Sequence, residues 1–147
     1  MTSQTITPIE RDEAAAAKIR RHHEHLVTEL ERLVTALGTD EAKAQLVTWA
    51  RTSLAPHAAG EERTFYRTAA DTEAGRLLIA GMVIEHGVIL GIVDAIEQSA
   101  EPVATRTWAE ALLRVFRSHA AKENDLVLPL LVAEPSANLA ELLEEMH

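Results

Sequence analysis

The sequence predicts an all-α fold, an up-down-up-down four-helix bundle with a short C-terminal helix. Apolar residues make up 47% of the chain and aromatic residues only 3%, which favours helices packed through aliphatic side chains over a β-sandwich. Four long segments have helical periodicity. The connections between them are short, which is typical of antiparallel neighbours. At 147 residues the chain has the size of one domain, and we expect a single domain over residues 1–147.

The first two helices have sequence signals at their ends. Thr7 is a predicted N-cap, followed by a proline at the first helical position and by Glu10, which completes a capping box. This helix is expected to end at Gly38. The second starts near Thr39–Asp40 and runs to about Ala69. Pro56 lies inside it and is expected to remove one backbone hydrogen bond and bend the helix.

The last three helices follow at short intervals. The third begins around residue 72 and ends before a break at residues 99–102, and the fourth runs to about Leu128, where Pro129 is expected to interrupt it. A short amphipathic helix is predicted after Ser136, with its inner side formed by Leu139, Leu142, Leu143 and Met146. These side chains either close the end of the bundle, which is the favoured interpretation, or form a docking or dimer surface.

Composition and charge exclude several classes of function. A net charge of −9 argues against binding to nucleic acid or to an anionic membrane. The absence of cysteine excludes disulfides, zinc–thiolate sites and iron–sulfur clusters. No uninterrupted apolar run approaches about 20 residues, and the N-terminus has no signal-peptide pattern. We therefore expect a soluble cytoplasmic protein.

Histidines are distributed over all four long helices. Two of these helices contain an H-x-x-x-E motif, formed by His57 with Glu61 and by His119 with Glu123. A spacing of four residues places both side chains of a motif on one helix face, one turn apart. Each pair is therefore placed to contact one metal centre.

Four histidines are expected at a similar depth in the bundle. His23, His57, His86 and His119 lie about 14–19 residues from their connecting loops, which places them within one to two turns of each other along the bundle. A single histidine on an apolar face is most often a hydrogen-bonded core residue. Four histidines buried together with two glutamates, however, need a cation to offset the desolvation of the carboxylates. The depth match predicts a metal site.

The first helix offers three histidines. Relative to the mean direction of its apolar stripe, His23 lies at roughly 25°, His22 at roughly 75° and His25 at roughly 135°. His23 is therefore the predicted ligand, His22 is a possible additional one and His25 is expected to be solvated. His147, near the end of the chain, is expected on the surface.

These residues resemble the hemerythrin-like family of HHE cation-binding domains, from about Ile19 to Leu131. The matching features, in order, are the first-helix histidine followed by Leu26 and Leu30, the run from His57 through Glu61 and Glu62 to Phe65, the pair Glu85-His86, and His119 with Glu123 leading into Leu128-Pro129. Each motif alone is weak, whereas four in the family's order and spacing are specific.

The resemblance implies a non-haem di-iron centre, with two iron ions (Fe²⁺/Fe³⁺) joined by an oxo or hydroxo bridge. It implies His23, His57, His86 and His119 as terminal ligands and Glu61 and Glu123 as bridging ligands. Ferritin-type bundles need E-x-x-H motifs, and none of these four histidines has a glutamate three residues before it.

Two positions depart from the oxygen-carrying hemerythrins. Those carry a second histidine four residues after the third-helix ligand, where this chain has Leu90, and a carboxylate where it has Asn124. The chain is thus similar to the branch with two H-x-x-x-E helices, which includes nitric-oxide-responsive and iron-centre repair proteins.

The ligand count predicts a reactive site. Two six-coordinate irons offer about twelve positions, of which the histidines, the bridging carboxylates and the oxygen bridge fill about ten. We expect the open positions to bind and transform hydrogen peroxide, dioxygen or nitric oxide, through a peroxidase- or catalase-like or a nitric oxide reductase activity and an unknown redox partner. The alternative is a non-catalytic protein that binds or senses dioxygen or buffers iron. A homodimer is possible in either case.

The surroundings of the site follow less directly from the sequence. An apolar lining that suits small diatomic or peroxide ligands is expected from Leu30, Phe65, Met82, Ile89 and Phe116. Glu62 is expected to be solvated rather than to contact the ligands. Glu85 faces either solvent or a neighbouring helix, and Tyr66 can donate a hydrogen bond if it turns inward.

Overall fold

The computed structural model describes residues 5–146, which are helical apart from short connections and contain no strand. We number five helices over these residues. They are α1 (Pro8–Thr35), α2 (residues 40–70), α3 (Glu73–Gln98), α4 (residues 102–133) and α5 (Leu139–Met146). Two of them contain wider π-helical turns, at Ala50–Leu54 and Glu62–Tyr66 in α2 and at Glu123–Val127 in α4.

The helix ends are capped as the sequence predicts. The Thr7 hydroxyl accepts a hydrogen bond from the Glu10 backbone N–H at 3.2 Å, and the Glu10 carboxylate accepts one from the Thr7 N–H at 3.1 Å, which confirms the capping box. Gly38, with φ +157°, turns the chain between α1 and α2. Thr39 and Thr72 cap α2 and α3 through their hydroxyls.

The core consists of two apolar clusters, one on each side of the predicted metal ligands along the helices. One cluster contains Leu30, Leu46, Ile96 and Leu112. The other contains Ile19, Met82, Leu131 and Leu139. Helix α1 packs against α2 and α4, and α3 packs against the same two helices. These contacts agree with a four-helix bundle and a short C-terminal helix, whose up-down-up-down order stays a prediction.

Helix α4 corrects the sequence prediction of an end at about Leu128. It continues through Pro129 to Ala133. A π-helical turn ends two residues before this proline, and another ends two residues before Pro56 in α2. The wider turn changes the local hydrogen-bond register, so that the missing proline N–H and the bulk of its ring are absorbed without ending the helix.

The short helix α5 closes one end of the bundle. Leu139 is fully buried, and Leu142, Leu143 and Met146 pack partly buried against the cluster around it. The buried Asp12 carboxylate accepts a hydrogen bond from the Leu139 N–H at 3.1 Å and so fixes the start of α5 to α1. The structure therefore supports the interpretation of these apolar residues as a closing helix.

One described helix, α3, is long and apolar enough to cross a membrane, by length and composition only. The core helix of a soluble protein can meet the same criterion. The sequence-based expectation of no membrane partner therefore stays a prediction.

Candidate metal centre

The six side chains predicted as metal ligands lie together in the middle of the helices. Helix α1 contributes one of them, α3 another, and α2 and α4 contribute an H-x-x-x-E pair each. All six are buried: His23, His57, Glu61, His86, His119 and Glu123. They form two groups in which the potential ligand atoms lie within 4.8 Å of one another, and Glu61 and Glu123 belong to both groups.

The glutamate carboxylates lie between the two groups. Glu61 directs Oε2 toward the Nε2 atoms of His23 and His57, at 3.3 and 3.2 Å, and Oε1 toward Nε2 of His86, at 3.3 Å. Glu123 directs Oε2 toward Nε2 of His23, at 3.0 Å, and Oε1 toward Nε2 of His119, at 2.5 Å. Each carboxylate thus presents one oxygen to each group, as a bridging ligand does.

Two of the histidine rings are oriented by hydrogen bonds at their other nitrogen. Nδ1 of His23 lies 2.7 Å from Oδ1 of Asn124, and Nδ1 of His119 lies 2.7 Å from Oε1 of Glu85. Since an amide oxygen and a carboxylate only accept, both Nδ1 atoms donate and carry a proton. Glu85 also accepts from Lys122 at 2.5 Å. Glu85 therefore faces the neighbouring helix.

Asn124 is the residue whose role sequence reasoning missed. In the sequence, Asn124 is notable because the oxygen carriers have a carboxylate at that position. Its place directly after Glu123 is the only signal in the sequence that it lies near the site. A ligand histidine usually donates its second ring nitrogen to a nearby acceptor, and the structure shows one for His23 and His119, whereas Nδ1 of His57 and of His86 is buried without a hydrogen-bond partner.

Tyr66 turns inward and joins the second group. Its hydroxyl donates to Oε1 of Glu123 at 2.6 Å and lies 3.0 Å from Nε2 of His119 and 3.3 Å from Nε2 of His86. Its ring stacks on that of His86, with centroids 5.0 Å apart. The Glu62 side chain is 41% exposed, as expected, although one carboxylate oxygen lies 3.4 Å from Nδ1 of His86.

The remaining histidines lie outside the two groups. His25 is exposed, in agreement with its predicted solvation. His22 is half-buried, and its ring centroid lies 5.0 Å from that of His57. It therefore neighbours the site without belonging to either group. The prediction for His147 falls outside the described residues.

Carboxylates in the cluster raise the pKa of His23 and of His119 against the opposing effect of burial. Burial opposes protonation of His23, but the carboxylates of Glu123 and Glu61 outweigh it and raise the pKa of His23 to about 10. Burial likewise opposes ionisation of Glu61, yet its hydrogen bonds with Glu123 and the histidines hold its pKa well below the ordinary value. The pKa of Tyr66 is raised by burial and by the two carboxylate charges, so its hydroxyl keeps its proton.

The residues present fit metal ions. Nε2 of His23 lies 3.0 Å from Glu123 and 3.3 Å from Glu61, but neither contact has hydrogen-bond geometry, and buried atoms without a hydrogen bond are uncommon in folded proteins. A cation placed among these nitrogens and oxygens would contact it directly. Imidazole and carboxylate together form a donor set that suits iron and similar divalent metals, and soft thiolate ligands are absent from the sequence.

A small cavity of about 10 Å³ adjoins the site. It is lined by Leu54, His57, Ala58, Glu61, His86, Ile89, Leu90, Phe116 and His119. The prediction of an apolar lining is confirmed for Ile89 and Phe116. The other three expected residues, Leu30, Phe65 and Met82, are buried in the apolar clusters instead, because their helix positions lie a turn or more away from the cavity along the bundle.

The comparisons with known proteins agree with this geometry. The model of the family described as hemerythrin HHE cation-binding domain matches residues 14–131, and the chain belongs to this family. Neither the curated proteins nor the solved structures contain a significant match. Family and cluster together indicate a protein that binds metal ions, with iron as the expected metal.

Proposed function

We propose that this protein holds two non-haem iron ions and uses them to bind and transform small oxidants. His23 and His57 are the terminal ligands of one ion, and His86 and His119 those of the other. Glu61 and Glu123 bridge the two. The observation that carries this proposal is the sharing of both carboxylates, one oxygen to each group, which a site for a single ion would not need.

The cavity supports a small substrate. Its volume of about 10 Å³ is close to the minimum that one water molecule requires, which excludes organic substrates and favours the smallest ligands. Leu90 lines this cavity at the position where the oxygen carriers have another histidine, and it supplies no metal ligand. We infer that an additional coordination position is open on this side.

Tyr66 is the hydrogen-bond donor to the cluster in this proposal. Bound iron ions would supply the electrons that reduction of peroxide, dioxygen or nitric oxide requires. The Tyr66 hydroxyl retains a proton next to the Glu123 carboxylate, 3.0–3.3 Å from two of the ligand histidines. It can therefore stabilise negative charge on Glu123 by hydrogen bonding, without rearrangement of the helices.

Anaerobic titration of the reduced, iron-loaded protein with dioxygen, peroxide and nitric oxide tests the proposal. We expect irreversible oxidation by dioxygen and decomposition of hydrogen peroxide by the oxidised protein. Leu90→His should restore the missing ligand, slow peroxide turnover by at least about 10-fold and lengthen the life of any oxygen adduct. Val103→His, on an exposed part of α4, is the control.

The opposite behaviour would support the non-catalytic alternative. A stable and fully reversible dioxygen adduct in the unmodified protein, without peroxide turnover, would contradict the proposed reactivity. It would leave the metal ligands in place and assign the protein to storage or sensing. For the catalytic function we also propose that the protein is cytoplasmic and receives electrons from a separate redox partner.

A further inference from the structure

The outward face of α3 is apolar over five turns. Leu77 is 84% exposed, Ile84 70% and Val88 48%. On a wheel of about 100° per residue, Glu73 in the first turn of α3 lies within about 60° of Ile84, but no charged side chain does so over residues 74–98. We call this face, centred on Ile84, the α3 stripe. Large contiguous apolar surfaces of this kind mark sites of association.

Three glycines lie along the α3 stripe. A Cβ atom added at Gly81, Gly87 or Gly91 would meet nothing within 4 Å. No contact within the described chain therefore requires a glycine at these positions, although glycine in a helix interior is less stable than alanine. Glycines on the outer face of a helix allow the backbone of another helix to approach closely.

We propose that the α3 stripe binds the α3 stripe of a second copy of this chain, antiparallel, across a two-fold axis at Ile84. In this register Leu77 lies opposite Gly91 of the second copy, and Val88 lies opposite Ala80. Ile84 meets its own counterpart on the axis. Each large side chain thus faces a small residue, which makes the surface self-complementary, as a two-fold interface requires.

The charges beside the stripe select the antiparallel orientation. Arg76 and Asp94 both lie at about 80° from Ile84 on the same side of the stripe. The two-fold axis brings Arg76 of one copy close to Asp94 of the other, with about 3 Å between them along the helix axis. The symmetry forms two such pairs. A parallel pair would instead place this side of the two copies on opposite flanks of the interface, so Arg76 would not meet Asp94. Asp94 is already held by Arg51 at 2.5 Å, so the acceptor is fixed before association.

The same charges argue for a second copy over a lipid surface. A membrane would cover the apolar stripe but would leave the match between Arg76 and Asp94 without a role. The net charge of −9 would also be repelled by anionic lipid.

Sedimentation equilibrium between about 1 and 200 µM tests the association. We expect a reversible dimer, and we expect Ile84→Glu to raise its dissociation constant by at least about 30-fold, because two carboxylates would meet on the axis. Val103→Glu is the matched control, since Val103 is also 70% exposed but lies on α4, and it should leave the constant unchanged. A wild-type protein that is monomeric throughout, or an Ile84→Glu dimer of unchanged affinity, would overturn the proposal.

Cross-linking tests the orientation, and the absence of cysteine from the sequence makes each introduced thiol unique. A bismaleimide with a reach of about 8–10 Å should join two copies of Ile84→Cys but not of Leu77→Cys, whose thiols would lie about 21 Å apart along the axis. Cross-linking of both variants would overturn the antiparallel arrangement. Cross-linking of neither variant would overturn the interface itself. A third outcome would assign the stripe to lipid instead. In that case the unmodified protein would form no dimer but would bind neutral phosphatidylcholine vesicles, and Ile84→Glu would abolish this binding.

Discussion

At the scale of single residues, two histidine rings of the cluster are oriented by a hydrogen bond at the nitrogen that faces away from the other ligand atoms. Asn124 fixes the ring of His23, and Glu85, itself held by Lys122, fixes that of His119. Both acceptors belong to a different helix from the histidine they orient. The two rings are therefore held only when the helices pack in register, which couples the metal site to the tertiary fold.

The clustering of the six residues could be predicted from the sequence, whereas these partners could not. The four-residue spacing of His57 with Glu61 and of His119 with Glu123 places each pair on one face of a helix, whatever the helix packs against. The contact of Asn124 with His23 depends instead on the relative rotation and height of two helices. Neither quantity is encoded in a local sequence pattern.

The first-helix histidines should differ in their effect on iron binding. His23→Ala should lose iron or halve its occupancy, because His23 belongs to the first group and contacts both carboxylates. His25→Ala is the control and should bind iron normally, since His25 is exposed. His22→Ala should fall between them. Iron content per chain after identical loading measures all three. An essential His25 together with a dispensable His23 would show that the ligand assignment in α1 is wrong.

Removal of the acceptor from Asn124 should weaken the metal site without removing a ligand. Asn124→Leu has a similar volume but cannot accept from Nδ1 of His23. We expect metal affinity to fall by about 10–100-fold, in line with other residues that orient ligand histidines. The adjacent Asp125→Leu, at an exposed position, serves as the control. Competition with a chelator of known affinity measures both, and equal affinities in the two variants would contradict the orienting role.

At the scale of the helices, the π-helical turns determine which residues reach the site. In an ordinary α-helix Tyr66 would lie about 140° around the axis from Glu61. The turn Glu62–Tyr66 is wider, and in a π turn residues five apart lie almost above one another. Tyr66 therefore falls on the same face as Glu61 and enters the cluster. Helical-wheel reasoning assumes one period throughout and for this reason could not determine the direction of Tyr66.

The helix boundaries were predicted well where a cap or a glycine marks them, at Thr7, Gly38 and Thr72. The end of α4 was wrong because proline was taken as a terminator. The turn Glu123–Val127 shows that a π-helical turn can accommodate Pro129. No simple sequence signal distinguishes this outcome from a true helix end.

The junction between α2 and α3 should tolerate no side chain at Gly75. A Cβ there would lie 2.0 Å from the Ala69 carbonyl oxygen, which is backbone and cannot move aside. We expect Gly75→Ala to lower the free energy of unfolding by roughly 2–3 kcal/mol. In the matched substitution Gly60→Ala, the nearest atom to the new Cβ is in the flexible Met146 side chain, at 2.9 Å. This substitution should change the free energy of unfolding by less than about 1 kcal/mol. Urea unfolding measures both, and equal effects would contradict this account of the junction.

At the scale of the whole molecule, two apolar clusters enclose a polar layer that is stable only when its charges are compensated. Protons on the histidines provide this compensation in the metal-free protein, and metal ions would provide it in the loaded protein. Binding of metal ions therefore releases protons from the cluster. The fold is therefore linked to both pH and metal concentration.

The stability of the metal-free protein should depend on pH through His23. Its pKa is about 10 in the folded state, above the ordinary value of about 6.5 expected on unfolding. A raised pKa stabilises the folded state fully below about pH 6.5, and this contribution is lost as the pH rises through about 10. We therefore expect the free energy of unfolding of the metal-free protein to fall between about pH 6.5 and 10.

The loaded protein provides the contrast. With a metal bound, His23 is already deprotonated, so this part of the pH dependence should be absent. His23→Gln without metal should also lose it, which separates His23 from other titrating groups. Urea unfolding at several pH values measures the three proteins. A metal-free protein whose stability is constant or rises over this window would contradict the proposed protonation of the cluster.

The iron content of the purified protein tests the central claim most directly. After anaerobic loading with excess Fe²⁺, removal of unbound metal and oxidation, elemental analysis should give close to two irons per chain. Mössbauer spectroscopy should show the two ferric ions antiferromagnetically coupled, because both groups share Glu61 and Glu123 as bridges. A content of one metal per chain, or zinc alone in spite of iron loading, would contradict the di-iron centre.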